Sequence, residues 1–275
     1  MLHFGQSTHP YLEEINPGII PLIGTGERVL DVGCGRGALG EAVRKLGNNV
    51  TGIERHPDAV AGARSRLDRV IEADVTDFQT ISEKLEGEIF DAIIFSDVLE
   101  HLYDPVEILR SYSGLFLKPG GRVLISVPNI AAWTQRLALF FGYFEYADTG
   151  IMDRTHIRFF TRRTAKSLLR ACGIEQKRIG GTPHLIRAFL PLIRALLARS
   201  ASPDAAPDPR ALIDSPAFRL YEKWVYPIEH AVMRIWPSGL AFRIIVEGVK
   251  SGEKIESQKF ESRKIESRKI ESEMR

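Results

Sequence analysis

The 275-residue chain has little of what would place it among disulfide-rich, membrane-spanning or secreted proteins. It contains two cysteines, Cys34 and Cys172, which are too few for a disulfide framework or a cysteine-based zinc site. No run of apolar residues approaches the roughly 18 that a membrane-spanning helix requires. The first residues show neither the basic nor the apolar region of a signal peptide. A cytoplasmic protein is the simplest expectation.

Excess charge of one sign is also scarce, since the formal net charge is +2 at pH 7. That excess resides in residues 250–275, which carry eight Lys or Arg and six Asp or Glu, so residues 1–249 are neutral overall. Binding to nucleic acid depends on clustered positive charge that contacts phosphates. We therefore expect no nucleic-acid partner.

Short apolar runs alternate with helical patterns from residue 27 to about 180, which is typical of an α/β fold with helices on both faces of a parallel sheet. Strands are expected near residues 28–32, 49–53, 69–73, 89–95, 121–127 and 174–180. Helices are expected near residues 38–47, 58–67, 77–86 and 105–117, with a further one that has Thr161 as its N-cap and runs to Cys172.

Two segments break this alternation. Residues 183–236 combine an amphipathic helical pattern with a Ser/Ala/Pro/Asp stretch, which predicts a helical insertion or lid. An interfacial helix that makes peripheral membrane contact through residues 185–199 is the alternative. Residues 251–275 repeat every five residues, a period that suits neither a helix nor a strand, and we expect a disordered tail.

The most informative motif is Val-Leu-Asp-Val-Gly-Cys-Gly-Arg-Gly at residues 29–37. An apolar run ends near Asp31, and three glycines then alternate with other residues before a helix. Glycine accepts positive φ and lets a ligand approach the bare main chain. A strand, a glycine turn and a helix N-terminus together form a cradle for nucleotide-like ligands in open α/β sheets.

This segment resembles motif I of the class I S-adenosylmethionine-dependent methyltransferases. Residues 90–105 resemble motif IV of that family, in the form found in ubiquinone and menaquinone methyltransferases and their small-molecule relatives. The resemblance implies a doubly wound, Rossmann-like sheet of seven strands, mostly parallel with an antiparallel last strand, for which residues 240–249 are suitable. The methyltransferase domain would then comprise residues 1–182 and 237–250.

The resemblance implies S-adenosyl-L-methionine as cofactor and a role for each matching residue. Asp31 would face the ammonium group of the methionine moiety, and Glu54, at the end of the second strand, would accept the ribose hydroxyls. Asp74 would accept the adenine amino group, with backbone contact from Val75. Arg55 would either cover the adenine or stay in solvent. The loop would place its main chain along the cofactor through Gly33, Cys34, Gly35 and Gly37.

Cys34 has two interpretations, a small turn residue that lends its backbone or a reactive thiol, and we favour the first.

By the same resemblance, Ser96 and Asp97, at the end of the fourth strand, are expected among the cofactor-binding residues, and residues 97–101 would lie near the sulfonium. His101 follows in the same loop, and His156 lies in a second polar segment, residues 148–161. An imidazole suits removal of a proton from the acceptor, so both histidines are candidate catalytic residues. The alternative for each is a purely structural hydrogen-bond cluster. No carboxylate set typical of a catechol-type magnesium site is evident, and no metal is expected.

These features predict methyl transfer to an oxygen or carbon atom of a small or lipid-like acceptor. Two alternatives stay open. Residues 35–40 formally match G-x-G-x-x-G, as in an NAD(P)-dependent oxidoreductase or epimerase, although Asp31 would repel a pyrophosphate. A methyltransferase-like module that binds the cofactor without turnover is the other. The sequence makes no prediction of the oligomeric state.

Overall fold

The computed structural model describes residues 15–184 and 221–251. Within them, seven strands form one sheet: β1 (Arg28–Val32), β2 (Asn49–Glu54), β3 (Arg69–Glu72), β4 (Phe90–Ser96), β5 (Leu117–Pro128), β6 (Ile174–Pro183) and β7 (Ala241–Lys250). The α-helices are α1 (Ala38–Lys45), α2 (Pro57–Arg64), α3 (Phe78–Leu85), α4 (Pro105–Leu115), α5 (Trp133–Phe140), α6 (Arg162–Ala171), α7 (Tyr226–Met233) and α8 (Pro237–Leu240). Short 3-10 helices cover Ile20–Leu22 and Leu99–His101, and a π-helical turn covers Tyr221–Val225.

The sheet has the order β3-β2-β1-β4-β5-β7-β6. Strands β1 to β5 pair in parallel, whereas β7 is antiparallel to both of its neighbours, β5 and β6. The fold is therefore the α/β, Rossmann-like seven-stranded sheet that the sequence predicts, including its antiparallel last strand. Because β1, β2 and β4 lie side by side and in parallel, their carboxyl ends meet at one edge.

Side chains alternate across the strands and supply a core to each face of the sheet. On one face, Leu30 and Ile93 pack with residues of α3, α4 and α6. On the other face, Val29 and Ile94 pack with residues of α1 and with Ala63 of α2. Burial on both faces explains why the central strands are apolar runs instead of alternating patterns.

Local capping fixes the ends of the helices near the sheet edge. Asp104 accepts hydrogen bonds from the N–H groups of Val106 and Glu107 at the start of α4. Thr161 and Thr164 form a capping box at the start of α6, which confirms Thr161 as the expected cap. Helix α4 ends at Leu115, two residues before the predicted end, because Leu117 already pairs with Phe90 of β4.

Most of the predicted insertion, including residues 185–199, lies outside the described residues, and so does the repetitive tail from residue 252. The insertion and tail therefore remain predictions. Within the described ranges, no helix combines the length and apolar character that crossing a bilayer demands.

Candidate active site

The predicted site residues converge on the carboxyl edge of the sheet. Asp31 lies near the end of β1, with Gly52 of β2 and Ile94 of β4 as its register partners. Glu54 ends β2 and Ser96 ends β4. Ligands of open α/β sheets bind at this edge, so the fold places these polar groups where a ligand can reach all of them.

The glycine loop after β1 has the conformation that its sequence predicts. Gly33, Gly35 and Gly37 have φ values of +72°, +55° and +81°, a region that other residues rarely adopt. The loop is anchored to β2, since the N–H groups of Gly33 and Cys34 donate to the carbonyl of Ile53 at 2.8 and 3.0 Å. Gly37 is the N-cap of α1, so the helix N-terminus points to the same edge.

Space at Gly33 is limited by the neighbouring turn. A Cβ atom at this position would lie 2.6 Å from Cγ2 of Val98, closer than real side chains approach. The absence of a side chain therefore serves the packing of the loop against the turn after β4, in addition to its backbone conformation.

Asp31 is the most unusual group in this part of the site. It is 2% exposed, and its Oδ2 atom has no hydrogen-bond partner among the described residues. Burial, together with repulsion from Glu54, raises the pKa of Asp31 to about 7. A buried carboxylate without a donor is costly, and a ligand with a positive group would relieve that cost. Asp31 thus fits the ammonium group of S-adenosylmethionine.

Glu54 is held by the backbone around it. Its Oε2 accepts from the N–H of Gly35 at 3.0 Å, and its Oε1 accepts from the N–H groups of Arg55 and His56, both at 2.9 Å. Each carboxylate oxygen can accept more than one hydrogen bond. The backbone therefore fixes the carboxylate in place and leaves it the capacity to accept from ribose hydroxyls.

Cys34 has the properties of a packed turn residue. Its side chain is buried, and its Sγ lies 3.7 Å from the carbonyl oxygen of Gly35. Burial raises the pKa of the thiol well above its usual range, and the charges of Asp31 and Glu54 add to that effect. A thiol that stays protonated is a poor nucleophile, which favours the backbone role over a reactive one.

Arg55 and Asp74 form an ion pair, with 3.1 Å between Nη1 and Oδ2. Burial raises the pKa of Asp74, but hydrogen bonds from Thr76 and Arg55 outweigh it, so the pKa lies below its ordinary value. The adjacent carbonyl of Val75 accepts a hydrogen bond from the Tyr112 hydroxyl at 3.0 Å. Arg55 is therefore paired with Asp74, although its side chain is 64% exposed, and its contact with adenine stays a prediction.

Asp97, just after β4, takes part in a network that the sequence does not reveal. Its φ is +56°, and its N–H donates to the carbonyl of Ser126 at 3.0 Å. Its Oδ1 accepts from the Ser126 hydroxyl at 3.0 Å, and its Oδ2 lies 2.7 Å from Nε of Arg243 in β7. Asn16 donates to the hydroxyls of Ser126 and Ser96 at 2.7 and 3.3 Å.

His101 and His156 lie together although 55 positions separate them in the sequence. Their ring centroids are 4.8 Å apart in an edge-to-face arrangement. Burial lowers the pKa of His101, and the nearby His156 adds to the effect. The structure thus brings both candidate histidines to the end of β4.

Glu100 completes this cluster. Its backbone carbonyl accepts from the N–H groups of Ile157 and Arg158, both at 3.0 Å, so the turn after β4 is joined to the segment 148–161. Its carboxylate lies 4.0 Å from Nε2 of His156. Burial raises the pKa of Glu100 well above its ordinary value, and the charge of Asp97 adds to that effect.

Two further polar residues of segment 148–161, Asp153 and Arg154, have partners within that segment. Asp153 accepts from the N–H and the hydroxyl of Thr155 at 2.8 and 2.6 Å, and Arg154 pairs with Asp148 at the surface. Upstream, an exposed aromatic group comprises Phe140, Phe141, Tyr143, Phe144 and Tyr146. Aromatic side chains that are exposed to solvent are suited to contact with an apolar ligand.

The strand order, the glycine loop and the buried acid beside it are those expected of an α/β protein that binds a nucleoside-type ligand at the sheet edge. A family model described as "Methyltransferase domain" matches residues 8–176. The chain belongs to this family, and its strand order is that of the class I S-adenosylmethionine-dependent methyltransferase fold. The dinucleotide alternative is thereby disfavoured.

Among curated relatives, a ubiquinone biosynthesis O-methyltransferase of Xanthomonas campestris pv. campestris is 41% identical over 107 residues, which is 38% of this chain and 44% of that enzyme. A second such enzyme, from Xanthomonas euvesicatoria pv. vesicatoria, is 36% identical over 126 residues, or 43% of this chain and 52% of the enzyme. The chain thus spans about half the length of the curated relatives it matches.

Among solved structures, a SAM-dependent methyltransferase from Archaeoglobus fulgidus covers 84% of this chain and 90% of its own, with a TM-score of 0.53 and 20% identity. At that identity the likeness confirms the fold.

Sequence reasoning missed Asn16, Ser126 and Arg243. Arg243 gave a weak signal, because it is a charged residue within an otherwise apolar strand pattern. Ser126 and Asn16 gave none.

Proposed function

We propose that this enzyme transfers a methyl group to an oxygen or carbon atom of a small or lipid-like acceptor. The observation that carries the proposal is the cluster of Glu100, His101 and His156 at the end of β4, beside the glycine loop. A pair of imidazoles suits an acceptor whose hydroxyl group or acidic C–H must lose a proton before it attacks.

We assign the cofactor site to residues at the same edge of the sheet. Asp31 holds the ammonium group, Glu54 accepts the ribose hydroxyls, and Asp74 with Arg55 borders the adenine. The buried, unpaired Oδ2 of Asp31 supports the first assignment, and the fixed carboxylate of Glu54 supports the second. When bound, the cofactor supplies an electrophilic methyl group on a sulfonium.

The chain contributes alignment and proton acceptance. Nδ1 of His101 lies 3.2 Å from the carbonyl of Thr155, and a carbonyl can only accept, so the proton of the neutral ring resides on Nδ1. Nε2 then keeps a lone pair that can take the acceptor's proton. The lowered pKa of His101 keeps this ring neutral at ordinary pH.

The acceptor class is supported from two directions. The relatives of about 40% identity are named ubiquinone biosynthesis O-methyltransferases, which favours a hydroxyl-bearing acceptor. The exposed aromatic group near residues 140–146 suits an apolar portion of such a molecule.

A transfer assay with methyl-deuterated S-adenosylmethionine tests the proposal. The acceptor panel comprises simple phenols and catechols, prenylated phenols, a carbon acid and an amine, and mass spectrometry locates the labelled methyl group. We expect labelling at oxygen or carbon, with higher kcat/KM for prenylated members. His101→Asn is expected to lower kcat by about a hundredfold, whereas His230→Asn, at an exposed position of α7, leaves it unchanged.

Transfer to the amine alone would contradict the assignment of the acceptor atom. Cofactor binding without turnover on any member would favour a non-catalytic binding module.

A further inference from the structure

Three side chains that can ligate a metal ion lie close together at the end of β4, namely those of Glu100, His101 and His156. One ligand atom from each side chain lies within 4.8 Å of the others. Glu100 is 1% exposed, and among residues 15–184 and 221–251 neither of its carboxylate oxygens has a hydrogen-bond partner. Buried carboxylates are normally paired with a donor or coordinate a metal ion.

The segment after α5 fixes the orientation of both imidazoles. Nδ1 of His156 lies 3.0 Å from the carbonyl of Ile151, and Nδ1 of His101 lies 3.2 Å from that of Thr155. In each neutral ring the proton therefore resides on Nδ1, and Nε2 keeps its lone pair. Metal-ligating histidines are held in the same way, with the second ring nitrogen donating to a carbonyl or carboxylate.

We propose that Glu100, His101 and His156 bind one divalent transition-metal ion, through the carboxylate and the two Nε2 atoms. Imidazole ligands favour Zn²⁺, Cu²⁺, Fe²⁺ or Ni²⁺, whereas Mg²⁺ and Ca²⁺ favour oxygen ligands.

The geometry is close to that of a bound state. Nε2 of His156 lies 4.0 Å from Oε1 of Glu100. Bonds of about 2.0–2.2 Å place the ligands of such an ion about 3–3.5 Å apart. Side-chain rotations that move the ligand atoms by about 1 Å therefore complete the site.

The site deepens the proposed function and rests on it for its chemical role. With Nε2 of His101 bound to the ion, the metal takes over from the free imidazole as the group that activates the acceptor hydroxyl. Three protein ligands leave further coordination positions open, and a hydroxyl oxygen of the acceptor can occupy one of them. The metal ion lowers the pKa of that hydroxyl, so its O–H bond breaks and the proton leaves to solvent. The oxygen then forms a bond to the methyl carbon as the C–S bond breaks, and the cofactor departs as a neutral thioether.

The test uses the untagged full chain, stripped with a chelator and dialysed, and titrated with Co²⁺ alone. Visible absorption of bound Co²⁺ and calorimetric heats report binding, and Zn²⁺ is added in competition. We expect one ion per chain. Glu100→Gln and His156→Asn are expected to weaken binding by at least about a hundredfold. His230→Asn is the matched control and is expected to bind like the unaltered chain.

Circular dichroism and S-adenosylhomocysteine binding show whether each variant is folded. Equal Co²⁺ affinity in folded Glu100→Gln and His156→Asn would overturn the metal site, and so would failure of the folded parent chain to bind Co²⁺. A chain that binds no Co²⁺ but methylates a phenol at full rate would overturn the metal site and leave the proposed function intact. A chain that binds one Co²⁺ through these side chains but methylates no acceptor would support the site and contradict the proposed function.

Discussion

At the scale of single residues, the candidate site is organised around carboxylates with different environments. Glu54 is stabilised by three backbone N–H groups, and Asp74 by Thr76 and Arg55. Asp31 and Glu100 each retain oxygen atoms without a donor among the described residues. The carboxylates at this sheet edge thus fall into two groups: those that receive hydrogen bonds from the protein, and those with an oxygen atom that lacks a donor.

We expect Asp31 to make cofactor binding dependent on pH. In the free protein its pKa is about 7, and only the ionised carboxylate attracts an ammonium group. Lowering the pH from 8 to 6 protonates Asp31 before the ligand binds, so we expect the affinity for S-adenosylhomocysteine to fall roughly tenfold. Calorimetry at the two pH values measures this affinity. The Asp31→Asn variant should bind S-adenosylhomocysteine weakly at both pH values. An equally steep pH dependence in that variant would contradict the assignment of Asp31 to the ammonium group.

At the scale of elements, the strand, glycine loop and helix that begin the fold could be predicted because their signals are local. The apolar run of β1, the three glycines and the start of α1 follow one another within 18 residues, 28–45. Each glycine also adopts the positive φ for which glycine is normally required. The contacts that limit space in the loop were not predictable, since Val98 approaches Gly33 from the turn after β4.

The substitution Gly33→Ala should destabilise the protein far more than Gly47→Ala. Both positions have positive φ, but a Cβ at Gly33 meets Val98 at 2.6 Å, whereas a Cβ at Gly47 meets nothing within 4 Å. We expect Gly47→Ala to lower the free energy of unfolding by about 1–2 kcal/mol through the backbone alone. Gly33→Ala should lose a further 1–3 kcal/mol from the collision. Urea unfolding measures the stability of both variants. Equal losses of unfolding free energy would show that the contact between the new Cβ and Val98 is relieved without cost.

At the scale of the whole molecule, the two ends of the described chain meet at the turn after β4. Arg243 reaches Asp97 from β7, and Asn16 reaches Ser126 and Ser96 from the N-terminal segment. These partners are 80 to 146 positions apart in the sequence. Pairings of that separation depend on the strand order, and the local pattern of any one segment does not reveal them. The same reason explains why the proximity of His101 and His156 was not predicted, although each was a candidate by itself.

The Asp97–Arg243 pair should contribute measurably to stability because its charges are mostly shielded from solvent. We expect Arg243→Met to lower the free energy of unfolding by about 2–4 kcal/mol, since Asp97 loses its partner. The loss should be smaller in an Asp97→Asn background, as a double-mutant cycle measures directly. Lys177→Met removes the exposed pair with Glu175 and should cost less than about 1 kcal/mol. Full additivity of the Asp97 and Arg243 changes would show that the pair is not energetically coupled.

The most direct test of the account is calorimetric titration of the chain, Asp31→Asn and Glu54→Gln with S-adenosylhomocysteine and, separately, with NADH. The account predicts one S-adenosylhomocysteine per chain, at least roughly tenfold weaker binding in each variant, and no heat with NADH. Unchanged affinity for S-adenosylhomocysteine in both folded variants, or saturable binding of NADH by the unaltered chain, would contradict it.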